Sequence, residues 1–382
     1  MDNQKLDFVK PINDNTNYRV DQKELIDKAL EITDNKLDAL NYIATAIQHE
    51  TGKTAEFTLV INVPANEVAD IRLPIIENGD ELGYYVYWDD DTINHNINIH
   101  NYKLLPIDKE YIIRFFGLGI NGFGIEYNNN IYLTKVLSFG QLGSCFTILD
   151  YAFDGCNDLI SVPEYLPSTI LTMSYMFREC RIFNQKLEWN TFNVTNMSYM
   201  FHACNTFNQK LNWDTSNVTN MGGMFNQCAH FNQELNWDTS NVTNMRGMFT
   251  NCKNFNQLLK WDTSNVTDMD YMFHACYNFN QNLNWDTSNV TNMMYMFYGC
   301  NKFNQNLNWD TSSVYNMMGL FYGCANFNQK LEWNTSNVIN MISMFEECTN
   351  FNQKLNWDTS EVTDNDNIYE NCNISEENKL KF

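Results

Sequence analysis

Basic residues are scarce in this chain. Its 382 residues include 24 Lys and Arg against 46 Asp and Glu, a net charge of −22. A field of that sign repels nucleic-acid phosphates and anionic membrane surfaces, so nucleic-acid binding is not expected. Long apolar runs are missing too. No stretch approaches the length of a transmembrane helix, and no membrane span is expected. The opening residues MDNQKLDFVKPINDN carry neither a basic leader nor an apolar segment behind it, which argues against export by the usual route. What the chain does have is apolar and aromatic surface: 44% hydrophobic residues, with 26 Phe, 20 Tyr and 9 Trp, enough to offset the entropy of ordering and to exclude a disordered chain. Its length exceeds one compact core, so two or more structural units are expected.

C-x-x-C pairs, the usual mark of structural zinc, are absent. Of the 11 cysteines, ten, from Cys156 to Cys372, recur every 24 residues, the mark of a structural register filled by reduced, buried thiols. The same period runs through the whole C-terminal half. Eight gapless copies begin at Phe183, Phe207, Phe231, Phe255, Phe279, Phe303, Phe327 and Phe351, and each phenylalanine is followed six residues later by a tryptophan, from Trp189 to Trp357.

One copy, FNQKLNWDTSNVTNMGGMFNQCAH from Phe207 to His230, divides into three pieces. Phe207, Leu211 and Trp213 share one side at period 2, which predicts a short strand. Met221, Met224, Phe225 and Cys228 fall at i, i+3, i+4 and i+7, which predicts a short α- or 3₁₀-helix. Before it stands Asn196, Asn220, Asn244, Asp268, Asn292, Asn316, Asn340 or Asp364, the two best capping side chains. Between these pieces, D-T-S-N-V supplies turn formers around one apolar anchor such as Val218. A single coil cannot bury its apolar face alone, so neighbours must stack at the spacing of a parallel sheet, giving a rod of roughly 35–40 Å for eight coils. Cys, Met, Phe and Trp then form ladders.

The N-terminal part has a different texture. Leu25, Ala29, Ile32, Leu37, Leu40, Ile43 and Ile47 are near helical spacing, broken around Thr33 to Asn35. From Glu56 onward FTLVINV, YYVYW, YIIRFF and IYLTKV read as strands, suggesting a β-sandwich of about 80–100 residues. The expected fold is mainly β with short helices. Its parts are an arm at 1–20, a helical segment at 21–52, a sandwich at 55–138, capping repeats at 139–182, a repeat solenoid at 183–360, and a C-terminal cap and tail at 361–382.

Three resemblances rest on these residues. YAFDGCNDLISVPEYLPSTILTMSYMF, residues 151–177, resembles the BspA-like type of leucine-rich repeat through its A-F-x-G-C and I-x-x-P landmarks. The copies after it, with W-D-T-S-N-V-T-N-M-x-x-M-F-x-x-C, resemble the 24- to 25-residue surface-protein repeats of mycoplasmas, which also occur in amoebal giant viruses. The resemblance implies a leucine-rich-repeat-like solenoid with a surface, adhesion or recognition role and no catalytic residues. Bacterial members usually carry a leader, so its absence here favours an intracellular or virion-associated protein. Trp88, Asp89, Asp91, Thr92, His100, Tyr102, Tyr111 and Gly117 resemble the immunoglobulin-like domain of the polycystic-kidney-disease (PKD) type, with Asp90 where that family has Gly. Such domains are spacers and adhesion modules.

Chemical motifs are few and weak. Gly117-x-Gly119-x-x-Gly122 fits a dinucleotide loop, yet strand-like sequence comes after it where a phosphate-facing helix is required. Gly52-Lys53-Thr54 lacks the first glycine of a P-loop. Asp89, Asp90 and Asp91 match no EF-hand spacing and read as a solvated turn. His202 and His274 share a repeat position three coils apart, about 14 Å at strand spacing, too far for one metal ion. The sequons at Asn193, Asn217, Asn241, Asn265 and Asn289 would crowd glycans at about 5 Å, so the turn explains them. No catalytic, cofactor or metal site is expected, and the protein is read as non-enzymatic.

In a repeat array the constant positions build the core, and specificity belongs to positions that vary. Those positions hold Tyr199, His202, Arg246, Tyr271, His274, Tyr295, Tyr298 and Tyr322, side-chain types common at binding hot spots. The expected role is recognition of a protein partner, with self-assembly into a virion or surface layer as the alternative.

Overall fold

The computed structural model describes residues 145–382 without a break; before them it describes 9–11, 18–20, 29, 39–40, 43–44, 47, 55–63, 69–77, 84–87, 93–95, 102–105, 109–117, 120–124, 132–140 and 142. The chain divides into two compact units, Met1–Ile170 and Leu171–Phe382. The division falls within the segment expected to cap the repeats.

Among the described residues the strands of the first unit pair antiparallel. Its strands are β1 (Val9–Pro11), β2 (Tyr18–Val20), β3 (Phe57–Val63), β4 (Ala69–Arg72), β5 (Ile75–Glu77), β6 (Tyr84–Tyr87), β7 (Ile93–His95), β8 (Tyr102–Leu105), β9 (Lys109–Gly117), β10 (Ile120–Phe123) and β11 (Leu133–Phe139). Five of them make an open sheet in the order β11-β3-β9-β6-β7, and β1-β2, β4-β8 and β5-β10 pair separately. Strand β9 alternates as its sequence requires: Tyr111, Ile113 and Phe115 are buried between exposed Glu110, Ile112 and Arg114. Phe57 on β3 stacks on Phe115 at 4.7 Å and on Phe123 at 4.9 Å, with Phe139 edge-on at 5.6 Å, so one aromatic cluster joins four strands. Gly122 lies against the chain at Ile148, where a parallel bridge forms; a Cβ at this position would fall 2.5 Å from the Ile148 carbonyl oxygen, so only glycine fits.

Of the N-terminal motifs, Gly117 ends β9 and Gly122 lies in β10, while Leu118 and Gly119 lie outside the described residues. The last glycine of the motif thus sits inside a strand and not at the start of a helix. Gly52 to Thr54, Asp89 to Asp91, Trp88, Thr92 and His100 also lie outside the described residues. In the expected helical segment, Ala29, Ala39, Leu40, Ile43 and Ile47 have helical backbone and are buried; Leu25, Ile32 and Leu37 lie outside the described residues.

The second unit is a stack of 24-residue coils joined by single parallel bridges that run Thr172, Asn196, Asn220, Asn244, Asp268, Asn292, Asn316, Asn340, Asp364. Two local expectations need correction. The methionine segment is not a helix but a pair of tight turns. Met200, His202 and Cys204 donate N–H to the carbonyls three residues back, Met197, Tyr199 and Phe201, while the alternate residues Met197, Tyr199, Phe201 and Ala203 donate to Asn220, Gly222, Met224 and Asn226 of the next coil at 2.8–3.0 Å. Half the amides therefore close turns and half tie coil to coil. A left-handed residue at every fourth position makes this possible: Tyr199 and Ala203 in one coil, Gly223 and Gln227 in the next, Gly247 and Asn251 after that. Met197, Met200, Phe201 and Cys204 all point inward, so the i, i+3, i+4, i+7 face is correct and the backbone assigned to it is not. Among the described residues the one helical element in this unit is a 3₁₀ turn at Glu376–Asn378.

The second correction concerns F-N-Q-K-L-N-W, which is not a strand and forms no backbone ladder. Phe207, Leu211 and Trp213 are buried as expected. Side chains do the joining here. Asn208 Oδ1 accepts the backbone N–H of Asn232 at 2.9 Å and the Gln233 amide at 3.0 Å, and Trp213 Nε1 donates to the Leu187 carbonyl at 3.1 Å. Buried Thr215 donates its hydroxyl to the Asp238 carbonyl at 2.7 Å.

The capping asparagine closes an Asx turn, not a helix. Asn196 Oδ1 accepts Ser198 N–H at 3.0 Å, and Asp268 does the same for Asp270 at 3.1 Å, so the shared acceptor explains the exchange of Asn for Asp. Inside, tryptophans stack at 6.2–6.5 Å from Trp189 to Trp309 and phenylalanines at 6.0–6.2 Å from Phe183 to Phe303. Each buried thiol from Cys204 to Cys348 donates to a phenylalanine carbonyl, as Cys228 does to Phe201 at 2.9 Å, and burial pushes these thiols well above the ordinary cysteine range.

Candidate recognition face

Seven of the eight variable residues fall into two neighbouring columns on the turn side of the coils, where consecutive coils place equivalent residues next to each other, and Arg246 stands one position before the first column. The first column is the left-handed position three residues after the bridging Asn: Tyr175, Tyr199, Gly223, Gly247, Tyr271, Tyr295, Gly319, Ser343. The second lies three residues further on and holds Arg178, His202, Asn226, Thr250, His274, Tyr298, Tyr322 and Glu346.

In the first column the rings lean onto the following coil. Tyr175 stacks flat on Tyr199 at 4.7 Å, and Tyr271 meets Tyr295 at 5.3 Å. Each pair ends on a glycine: a Cβ on Gly223 would lie 2.2 Å from Tyr199 Cε1, and a Cβ on Gly319 would lie 2.2 Å from Tyr295 Cε1. Tyrosine and the glycine after it are thus sterically linked. Tyr199 (φ 54°), Tyr271 (φ 58°) and Tyr295 (φ 53°) keep a left-handed backbone at a cost of roughly 1–2 kcal/mol each for an L-residue. Glycine stands at the same place in three other coils, so the backbone does not require tyrosine.

The second column carries a continuous stack: His274 lies flat on Tyr298 at 4.5 Å, and Tyr298 on Tyr322 at 4.5 Å. Edge contacts join the columns, Tyr199 with His202 at 6.0 Å, Tyr271 with His274 at 5.6 Å, and Tyr295 with Tyr298 at 5.7 Å. The structure therefore brings Tyr271, His274, Tyr295, Tyr298 and Tyr322 into one strip, leaves Tyr199 and His202 in a separate pair, and places Arg246 at the strip's leading edge. The tyrosines and histidines are half-buried and Arg246 is exposed.

Charge is unevenly spread along the strip. Arg246 places Nε 3.3 Å from Oδ1 of buried Asp270, and its guanidinium lies 5.8 Å from the Tyr271 ring. Burial first, then the Asp268 carboxyl beside it, raises Asp270 to about 7, against the opposing pull of Arg246. Burial pulls His274 below the ordinary histidine value, which favours the neutral, stackable ring. At the far end burial and then Glu346 and Glu347 push Tyr322 up to about 12.

Sequence reasoning missed Tyr175 and Asp270. Carrying the 24-residue period one step back from Tyr199 would have found Tyr175. Asp270 is hidden because the residue two after the bridging position is Ser, Gly, Arg, Met or Ile in the coils around it and shows no pattern. The sequon asparagines are engaged: Asn217, Asn241, Asn265 and Asn289 donate their side-chain amides to carbonyls of the preceding coil at 2.7 Å. Among the described residues no group of three or more His, Cys, Asp or Glu is placed to hold a metal ion, and no helix is long and apolar enough to cross a membrane.

A family described as Mycoplasma protein of unknown function, DUF285, matches the chain in three consecutive stretches, residues 147–236, 234–308 and 307–381. No curated protein and no solved structure shows significant similarity to it.

Proposed function

Because this chain belongs to the Mycoplasma protein family of unknown function DUF285, whose repeats make up the coil stack, we propose that it is a non-enzymatic recognition module that presents the Tyr271–Tyr322 strip to a protein partner. One observation carries this reading. Tyr271 and Tyr295 occupy left-handed positions where glycine suffices in neighbouring coils, and with His274, Tyr298 and Tyr322 they stack into one half-buried aromatic strip that the coil backbone does not require. Aromatic side chains with a polar tip are also the usual anchors of protein interfaces.

The finer architecture belongs to the same proposal. The stack is a leucine-rich-repeat-like solenoid akin to the BspA-like proteins, and the antiparallel first unit is an immunoglobulin-like module of the PKD type that serves as a spacer. The parallel bridges at one register and the five-stranded sheet support these assignments.

The test is affinity capture with cross-linking mass spectrometry from the native source. Wild type is compared with a variant carrying Tyr271→Ala, His274→Ala, Tyr295→Ala and Tyr298→Ala, which leaves the inner ladders untouched. A partner captured by wild type and lost by the variant is the expected result. Capture of the protein by itself, unchanged by the substitutions, would replace recognition with a structural array.

A further inference from the structure

The tyrosine column already receives guanidinium groups from its own chain. Arg178 lies 5.3 Å from the Tyr175 ring and Arg246 lies 5.8 Å from Tyr271, so at both places where a tyrosine pair begins an arginine covers it. The far end of the strip is built differently. Among the described residues no Lys or Arg lies over Tyr295, Tyr298 or Tyr322. Glu346 stands at the Tyr322 position of the next coil, where its carbonyl accepts Gly323 N–H at 2.8 Å, and Glu347 follows it, so two carboxylates come next to Tyr322 in the stack. Glu346 is half-buried and Glu347 exposed, with exposed Glu370 one coil further on at the position of Glu346.

A planar aromatic stack that ends beside two carboxylates has the chemistry of a cation receptor: ring faces and edges for the flat cation, oxygens for its N–H groups. We propose that Tyr298, Tyr322, Glu346 and Glu347 form the docking site for an arginine-bearing segment of the partner, whose guanidinium takes the place that Arg246 takes on Tyr271. Arginine suits the site better than lysine because its planar head stacks on a ring while its N–H fork pairs with a carboxylate. This rests on the recognition reading above and names the chemistry of the partner.

The experiment titrates full-length protein into fluorescein-labelled hexa-arginine, with hexa-lysine of equal charge alongside, and follows anisotropy at low and at physiological salt. Hexa-arginine is expected to bind more tightly than hexa-lysine at both salt concentrations. Tyr322→Leu should weaken it about threefold and Glu346→Gln with Glu347→Gln about tenfold. Glu376→Gln with Glu377→Gln removes the same charge from the C-terminal 3₁₀ turn and should leave binding unchanged. Equal losses in the two charge variants, equal binding of the two peptides, or no binding by wild type would overturn the proposal. Partner capture lost in the aromatic variant, together with absent hexa-arginine binding, would leave the recognition reading standing and remove only the arginine.

Discussion

Tyr295 offers a direct test of how the aromatic strip is held. Its backbone is left-handed, with φ of 53°, and its amide donates to the Met318 carbonyl at 2.8 Å, so the conformation is locked by the next coil. Replacing it by Ala or by Gly removes the same ring contacts, with Tyr271, Tyr298 and Gly319, and the two variants differ only in the backbone. An L-residue in this region costs about 1–2 kcal/mol, whereas glycine loses about 0.5–1 kcal/mol more than alanine through its freer unfolded chain. The Gly variant should therefore be more stable than the Ala variant by roughly 0.5–1 kcal/mol, reversing the usual order of the two residues. The control pair is Thr291→Ala and Thr291→Gly, at an ordinary backbone position in the same coil, where Ala should be the more stable. Urea midpoints from tryptophan fluorescence measure both pairs, and the midpoints should move without a change in slope. If Ala exceeds Gly at both positions, the left-handed residue carries no cost, and the argument that tyrosine is retained for its surface falls.

Two further outcomes are expected. Asp270 is raised to about 7 in the folded chain against an ordinary value of 3.8, so its stabilising protonated form is fully present at low pH and lost as pH climbs through 7. Asp238, Asp286 and Asp310, lowered by hydrogen bonds from Ser240, Ser288 and Ser312, act in the opposite sense and lose their contribution on acidification below the ordinary carboxylate range. Thermal midpoints should fall as pH rises from about 4 to 7, and Asp270→Asn should flatten that slope; a slope unchanged by the substitution contradicts the assignment. Thiol titration with a charged disulfide reagent should find Cys145 reactive in the native protein and the buried thiols from Cys156 to Cys348 unreactive until denaturant is added. Rapid native reaction of most thiols would mean the coils open readily.

Much of the repeat was legible because side-chain direction is a property of sequence. The period, the inward set Phe207, Leu211, Trp213, Met221, Met224, Phe225 and Cys228, and the acceptor role of Asn220 all follow from residue spacing and type. Backbone conformation did not follow. A face at i, i+3, i+4 and i+7 is satisfied equally by two helical turns and by two tight turns separated by a left-handed residue, and only the bonds to the next coil choose between them. Likewise, inward alternation in F-N-Q-K-L-N-W says nothing about whether backbone or amide side chains join the coils, and here Asn208 and Gln233 do it. The candidate strip was found as a set of variable positions, but its division into Tyr199 with His202 and the Tyr271–Tyr322 group depends on Gly223, Gly247 and Thr250 interrupting both columns.

The alternation of amide partners bears on how such a chain changes length through its history. Tyr199 donates forward to Gly222, and Thr219 donates back to Thr195, so an interior coil is complete only when a coil stands on each side, yet any coil of the same register will serve. Excising or duplicating a segment of one full period, such as residues 207–230, rejoins equivalent donors and acceptors, whereas a cut one residue longer or shorter leaves the coil at the junction out of register with its neighbours. Copy number is accordingly the dimension along which recombination can alter this protein most freely, shifting Tyr322 and Glu346 by whole rungs along the stack while the chemistry of each coil stays the same.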